Sequence, residues 1–163
     1  MEPITLEPIA YIHHGAGDQD VKEHWSDLVG TVEVLEPYAE GLTAIDGFSH
    51  LILLFWMHRL REGGREQLVV KARGLLRHGL TLEELPAMGV FACDSPVRPN
   101  PIGLSVVELL SREGRVLTVR GIDAFDGTPV LDIKPYTLDR TVTGARDAPW
   151  HEALIRATGA KRV

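Results

Sequence analysis

Apolar residues in this chain fall into short runs separated by glycine- and proline-rich turns, a pattern typical of β-strands. Apolar and polar residues alternate at Thr31–Leu35, which indicates a strand with one buried face. The continuous apolar run within His50–His58 fits a strand buried on both faces. Two runs around Gly114, at Leu104–Leu110 and Val116–Ile122, predict a hairpin. Shorter strands are predicted at Ile9–Ile12, Val130–Ile133 and Gln67–Arg73, with a helix as the alternative for the last.

Helix signals are fewer. Thr81 with Glu84 three residues later, closed by Pro86, predicts one capped turn over Thr81–Leu85. Asp147 before Pro149 is typical of a helix start and predicts a C-terminal helical tail over residues 147–159. Many short strands with glycine and proline turns favour a mainly β fold, as a barrel or a sandwich.

Composition limits the class of protein. The chain has 163 residues, 44% of them apolar, which fits a single domain over residues 1–163 with a full core. No segment reaches the roughly 18 apolar residues of a membrane span. A single cysteine excludes an intramolecular disulfide, and this suits a reducing cytoplasm.

Charge bears on the choice of partner. Seventeen Lys and Arg against 23 Asp and Glu give a net charge of −6, whereas a nucleic-acid ligand favours a basic surface. Six cations nevertheless cluster in one stretch: Arg59, Arg61, Arg65, Lys71, Arg73 and Arg77. This cluster is either a local basic patch or a solvated charged face, the ordinary outcome for such a stretch.

Three prolines stiffen the segment SPVRPNPIG, in which Ser95, Arg98 and Asn100 each precede a proline. A residue before proline is pushed into extended geometry, and each proline fixes its own φ. The segment therefore holds a hydroxyl, a guanidinium and a carboxamide on a rigid loop. The alternative is a rigid crossover loop with no further role.

Three ordered segments resemble one family. GVFACDSPVRPNPIGLS is similar to the signature of the TsaA-like proteins, the β-barrel tRNA methyltransferases also called TrmO. GFSHLILLFWMHR and DAFDGTPVLDIKPY match two further family motifs in the same order, so that the resemblance covers roughly residues 30–136. It implies a partly open antiparallel barrel, usually a homodimer. It also implies methyl transfer from S-adenosylmethionine to N6 of threonylcarbamoyl-adenosine in tRNA.

The resemblance also implies a cofactor site. Family positions that hold the cofactor map onto His58, Arg59, Asp94 and Leu104. The loop Asp126–Pro129 (Asp126, Gly127, Thr128, Pro129) can supply carbonyls and a carboxylate to a sulfonium cation, and Gly127 allows close backbone approach. The alternative for this loop is an ordinary hairpin turn.

The acceptor would meet other residues. A threonylcarbamoyl group carries a carboxylate, which Arg98 can clamp, with Asn100 as its neighbour in substrate binding; the alternative for Arg98 is a structural salt bridge that pins the loop. Three side chains are possible catalytic bases: Asp126, Asp132 and His58. The sequence does not choose among them.

The chain departs from the family at two places. Asp94 stands where the family has arginine, and the family's PRQ motif has no counterpart near Lys22–Trp25. These departures leave open a cofactor-binding module that acts on a non-tRNA acceptor or without catalysis. A metal-dependent hydrolase is disfavoured, because the seven histidines show no HxH or HxxxH spacing, and no metal site is predicted.

Overall fold

Short strands dominate the computed structural model, which describes residues 2–60 and 62–159. The strands are β1 (Ala10–His13), β2 (Val29–Val34), β3 (His50–Trp56), β4 (Val69–Lys71), β5 (Ala87–Gly89), β6 (Ile102–Glu113), β7 (Val116–Arg120) and β8 (Pro129–Pro135). The helices are α1 (Asp18–His24) and α2 (Pro149–Thr158). None of the helices in the described ranges has the length and apolar character that a membrane span requires.

The chain divides into two compact units. The first, Met1–Arg59 with Ile102–Thr141, contains an antiparallel barrel with the strand order β1-β2-β7-β6-β3-β8. The mainly β fold and its antiparallel barrel are therefore confirmed. The barrel is closed and not partly open as expected, because β8 pairs with β1, at Ala10↔Val130 and Tyr11↔Pro129.

The barrel core is built from the inward-facing side of each strand. On β3, Leu51, Leu53 and Phe55 are buried, while the alternate residues are only half-buried. The expectation that this strand is buried on both faces is therefore wrong. Its outer face carries Ile52, Leu54 and Trp56, so the apolar run continues on a surface that the barrel itself does not cover.

The second unit, Leu60–Pro101 with Val142–Val163, contains the two-stranded sheet β4–β5 and helix α2. Residues Leu75 and Leu85 form a buried cluster with Leu154 and Ile155 of α2, which explains why the predicted C-terminal helix forms. The capped turn is also present, since the backbone N–H and hydroxyl of Thr81 donate to Glu84 Oε2 at 2.7 and 2.8 Å. These two bonds, the backbone one first, lower the pKa of Glu84.

The ambiguous segment Gln67–Arg73 is resolved in favour of a strand, because β4 occupies Val69–Lys71 and a 3₁₀ turn begins at Arg73. Two elements were not predicted. Strand β5 has only three residues, and α1 is a seven-residue helix in a polar stretch, so neither shows enough periodicity to be recognised.

Replacing Gly103 by alanine is expected to destabilise the barrel. A Cβ at this position would lie 2.5 Å from Cζ of Phe55, which is buried in the core and cannot move away freely. The expected loss is about 1–3 kcal/mol in the free energy of unfolding, measured by urea denaturation. Gly41→Ala is the control, since nothing lies within 4 Å of its Cβ position; equal stabilities of the two variants would contradict this packing.

Candidate functional site

The loop Asp126–Pro129 is joined to the end of β1 where the barrel closes. The N–H of Gly127 donates to Ile12 O at 2.8 Å, and the N–H of Ile12 donates to Thr128 O at 2.9 Å. The carboxylate of Asp126 accepts the backbone N–H of His14 at 2.9 Å. Because β8 neighbours β1 and β3 and not β7, the loop is a crossover and not an ordinary hairpin turn.

Gly127 makes this geometry possible. Its φ is +75°, a backbone conformation that a residue with a Cβ adopts only with strain. The exposed carboxylate of Asp126 and the buried hydroxyl of Thr128 thus lie on one tight turn.

His58 follows β3 and meets this turn. Its Nδ1 lies 3.3 Å from Oγ1 of Thr128, which is 2% exposed. The residue as a whole is exposed, but burial of its ring, and secondly the charge of Arg59, lower the pKa of His58 from the usual histidine value. A lowered pKa favours the neutral imidazole, and a neutral ring can accept a proton.

Arg59 is held by contacts that the sequence did not reveal. Its Nη1 donates to Asp18 of α1 at 2.6 Å, and its guanidinium lies 4.6 Å from the ring centroid of Phe125. Lys22 Nζ lies 5.9 Å from the same centroid. Two cations thus lie near the ring of Phe125, the residue before Asp126. Phe125 could have been found by its place directly before the loop Asp126–Pro129, the DGTP loop. Nothing in the sequence links Asp18 to Arg59.

Two predicted residues lie in a different part of the barrel. In the strand register Leu104 is opposite Leu54, and Leu54 is opposite Asp132, so these three residues form one row on the outer face. The side chain of Leu104 is 59% exposed. Asp132 forms an ion pair with Lys134 at 2.5 Å. None of the contacts described above links Leu104 or Asp132 to the DGTP loop.

The remaining predicted residues lie in the second unit, on the proline-stiffened loop. Arg98 Nη2 donates to Val90 O at 2.5 Å and also to Cys93 O, so the guanidinium pins the loop through backbone carbonyls and not through the salt bridge named as its alternative. Ser95 Oγ accepts the N–H of Val97 at 3.2 Å. Asp94 and Asn100 are exposed. The roles of Asp94 in cofactor binding and of Arg98 and Asn100 in acceptor binding stay predictions.

The chain matches one protein family over most of its length. Residues 19–140 match the model described as the tRNA-methyltransferase O N-terminal domain. The chain belongs to the tRNA-methyltransferase O family. In the part of this family member that the structure describes, no group of three or more His, Cys, Asp or Glu residues is arranged to hold a metal ion.

Named relatives differ in what they are said to do. A probable S-adenosyl-L-methionine-binding protein of Pyrococcus abyssi is 44% identical over 137 residues, 82% of this chain and 68% of the relative. The tRNA (adenine(37)-N6)-methyltransferase of Escherichia coli is 36% identical over 141 residues, 79% of this chain and 57% of that enzyme. The crystal structure of TrmO from Pseudomonas aeruginosa superposes with a TM-score of 0.68 at 32% identity, over 91% of this chain and 63% of that one. This tRNA-methyltransferase O family member therefore spans less than two thirds of the E. coli and P. aeruginosa chains.

Replacing Arg98 by alanine is expected to loosen the proline-stiffened loop of this tRNA-methyltransferase O family member. The change leaves the carbonyls of Val90 and Cys93 without their donor, at a cost of about 1–3 kcal/mol in the free energy of unfolding. Hydrogen exchange should show faster exchange of amides in residues 90–98. The exposed Arg146 of the same unit provides the control, Arg146→Ala. Similar exchange and stability in both variants would rule out the pinning role.

Proposed function

We propose that this protein transfers the methyl group of S-adenosyl-L-methionine to the N6 amine of a threonylcarbamoyl-adenosine in tRNA. Family membership and the names of the relatives support this reaction class. The observation that carries the proposal is the contact between Nδ1 of His58 and Oγ1 of Thr128 in the DGTP loop, at 3.3 Å. Since tRNA is the acceptor, the proposal places the activity in the cytoplasm.

The residues around the DGTP loop fit the charges of the cofactor. Asp126 offers an exposed carboxylate to a sulfonium or an ammonium group, and Arg59 and Lys22 offer cations to a carboxylate. Phe125 and the backbone of the crossover add an apolar wall with carbonyl acceptors. Bound there, S-adenosyl-L-methionine would supply a methyl group activated by the positive charge on sulfur.

His58 is the best placed of the three possible bases. The carboxylate of Asp132 is paired with Lys134, and that of Asp126 accepts the N–H of His14. In the tautomer whose Nδ1–H donates to Thr128 Oγ1, the Nε2 lone pair of His58 is free to take a proton. As the base, His58 would accept the proton that leaves N6 when this nitrogen takes up the methyl group that bound S-adenosyl-L-methionine would supply.

A second function remains a candidate because of Asp94. This carboxylate replaces the arginine expected from the family motif, and several archaeal relatives are named only as S-adenosyl-L-methionine-binding proteins. Under this alternative the chain binds the cofactor but acts on a non-tRNA acceptor, or not at all.

The outer face of the barrel supports a homodimer as part of the proposal. Apolar side chains of β3 and β6 lie side by side there: Ile52, Leu54, Trp56, Leu104 and Val106. Val106 is 42% exposed although it lies between apolar neighbours. A contiguous apolar face of this kind is typical of a subunit interface, and a two-fold axis would cover it with its own copy.

The function is tested by incubating the protein with labelled S-adenosyl-L-methionine and tRNA that carries, or lacks, threonylcarbamoyl-adenosine. Methyl transfer only to the modified tRNA is expected. Calorimetric binding of the cofactor without transfer to either tRNA would favour the alternative, and no cofactor binding would refute both.

His58→Gln should lower kcat by about 10²–10⁴-fold, because it removes the proton acceptor. In the wild type, activity should be constant at neutral pH and fall only below the lowered pKa of His58, where the ring is protonated. His24→Gln, an exposed histidine on α1, is the matched control. A wild-type pH profile retained in His58→Gln would exclude His58 as the base.

Val106→Glu should convert the dimer to a monomer by placing a charge in the centre of the apolar outer face. Light scattering at micromolar concentration measures the change in mass. Leu138→Glu is the control, since Leu138 is 92% exposed and lies outside this face. A monomeric wild-type protein would refute the homodimer.

A further inference from the structure

Charge is unevenly divided between the two units. The second unit, Leu60–Pro101 with Val142–Val163, carries ten Lys and Arg against seven Asp and Glu, a net charge of +3. The first unit carries seven against sixteen, a net charge of −9. Three of the ten cations of the second unit, Arg61, Lys161 and Arg162, lie outside the described residues. The acidic excess of the chain therefore belongs to the first unit, and the second unit does not carry the negative charge that would repel a polyanion.

The second unit contains a cavity of about 760 Å³ with apolar walls and a cationic lining. Val69, Leu75 and Val97 are among the apolar residues, and the cationic side chains are Lys71, Arg73 and Arg77. The volume lies within the range typical of small-ligand sites. Val69 is 58% exposed, so the cavity opens to solvent.

The cationic side chains of the lining have N–H groups that a ligand can use. Arg73 is exposed and makes no hydrogen bond or ion pair within the described residues. Lys71 donates one N–H to Leu82 O at 2.7 Å and keeps two. Arg77, whose Nε lies 3.3 Å from His78 Nε2, adds charge to the same lining. An unpaired guanidinium beside an ammonium is suited to a phosphate.

We propose that this cavity binds one nucleotide of a single-stranded segment of the RNA substrate. Arg73 and Lys71 contact its phosphate, and the aliphatic walls cover its base. The proposal rests on the proposed function in so far as it takes tRNA as the acceptor. It assigns to the second unit a contact that the barrel residues around the DGTP loop do not provide.

The charge of the cavity argues against the methyl donor as its occupant. S-adenosyl-L-methionine carries a sulfonium and an ammonium against one carboxylate and is a net cation. Three cationic side chains against the single carboxylate of Asp94 would repel it, whereas they attract a phosphodiester. Asp94 is also the sole residue that the lining shares with the predicted cofactor contacts.

The test measures the affinity of the full chain for a fluorescent tRNA anticodon stem–loop by anisotropy at several salt concentrations. Arg73→Gln should weaken binding roughly three- to tenfold and reduce the slope of log K against log salt by about 0.7, the value for one phosphate of a single strand. Arg140→Gln, an exposed arginine of the barrel unit, makes the same charge change and should leave both quantities nearly unaltered. Equal effects of the two variants would overturn the proposal.

Removing the negative charge of Asp94 should have the opposite effect on RNA binding. Asp94→Asn should strengthen RNA binding roughly two- to fivefold, because the only carboxylate of the lining is lost. Weaker binding by this variant would contradict the placement of the phosphate. Millimolar adenosine monophosphate should displace the RNA poorly; efficient displacement would mean that the cavity takes a free nucleotide, and the RNA assignment would be wrong.

Methylation assays separate this inference from the proposed function. If the wild type methylates tRNA and Arg73→Gln leaves the KM for tRNA unchanged, the inference fails and the function stands. If no tRNA is methylated but RNA binding depends on Arg73 and not on Arg140, the function fails and the inference stands.

Discussion

Closure of the barrel is the constraint on which the candidate site depends. β1 and β8 share two register pairs, whereas β3 and β6 share seven, so the barrel closes through a very short ladder. Hydrogen bonds from Ile12, Gly127 and His14 extend this short ladder into the DGTP loop. Closure removes the last free edge of the sheet and at the same time fixes the loop that carries Asp126 and Thr128. Stability and site geometry therefore rest on the same bonds.

Several charged residues have structural partners that limit what they can do for a ligand. Asp126 accepts the backbone N–H of His14 directly after β1, Arg59 is paired with Asp18, and Arg98 donates to two carbonyls of its own loop. Such contacts hold a side chain in one orientation before a ligand arrives, which reduces the entropy lost on binding. His58 differs, because its surroundings lower the pKa of its ring and so favour the neutral form.

Local sequence patterns predicted most strands, but they did not predict which distant segments pair with one another. The alternation at Thr31–Leu35 and the hairpin around Gly114 appear as β2 and as β6–β7, because their signals lie within one short window. Closure joins residues more than a hundred positions apart, so no local pattern distinguishes a closed from a partly open barrel. The contact between Arg59 and Asp18 was missed for the same reason. The apolar run of β3 misled because its outer face, with Ile52, Leu54 and Trp56, is as apolar as the face in the core.

Net charge is a sum over the chain, and a ligand responds to the field where it binds. A net charge of −6 does not favour RNA binding by the chain as a whole. Sixteen of the 23 acidic residues, however, belong to the barrel unit and not to the unit that contains Lys71 and Arg73. Charges separated by more than about 8–10 Å of solvent are largely screened at physiological salt. The charges that line a cavity therefore weigh more in its preference for a ligand than the net charge of the whole chain does. The sequence left open whether the basic stretch is a local patch or a solvated face. A 3₁₀ turn in this stretch brings Arg73 and Arg77 to the lining of one cavity. Arg61 of the same stretch lies outside the described residues.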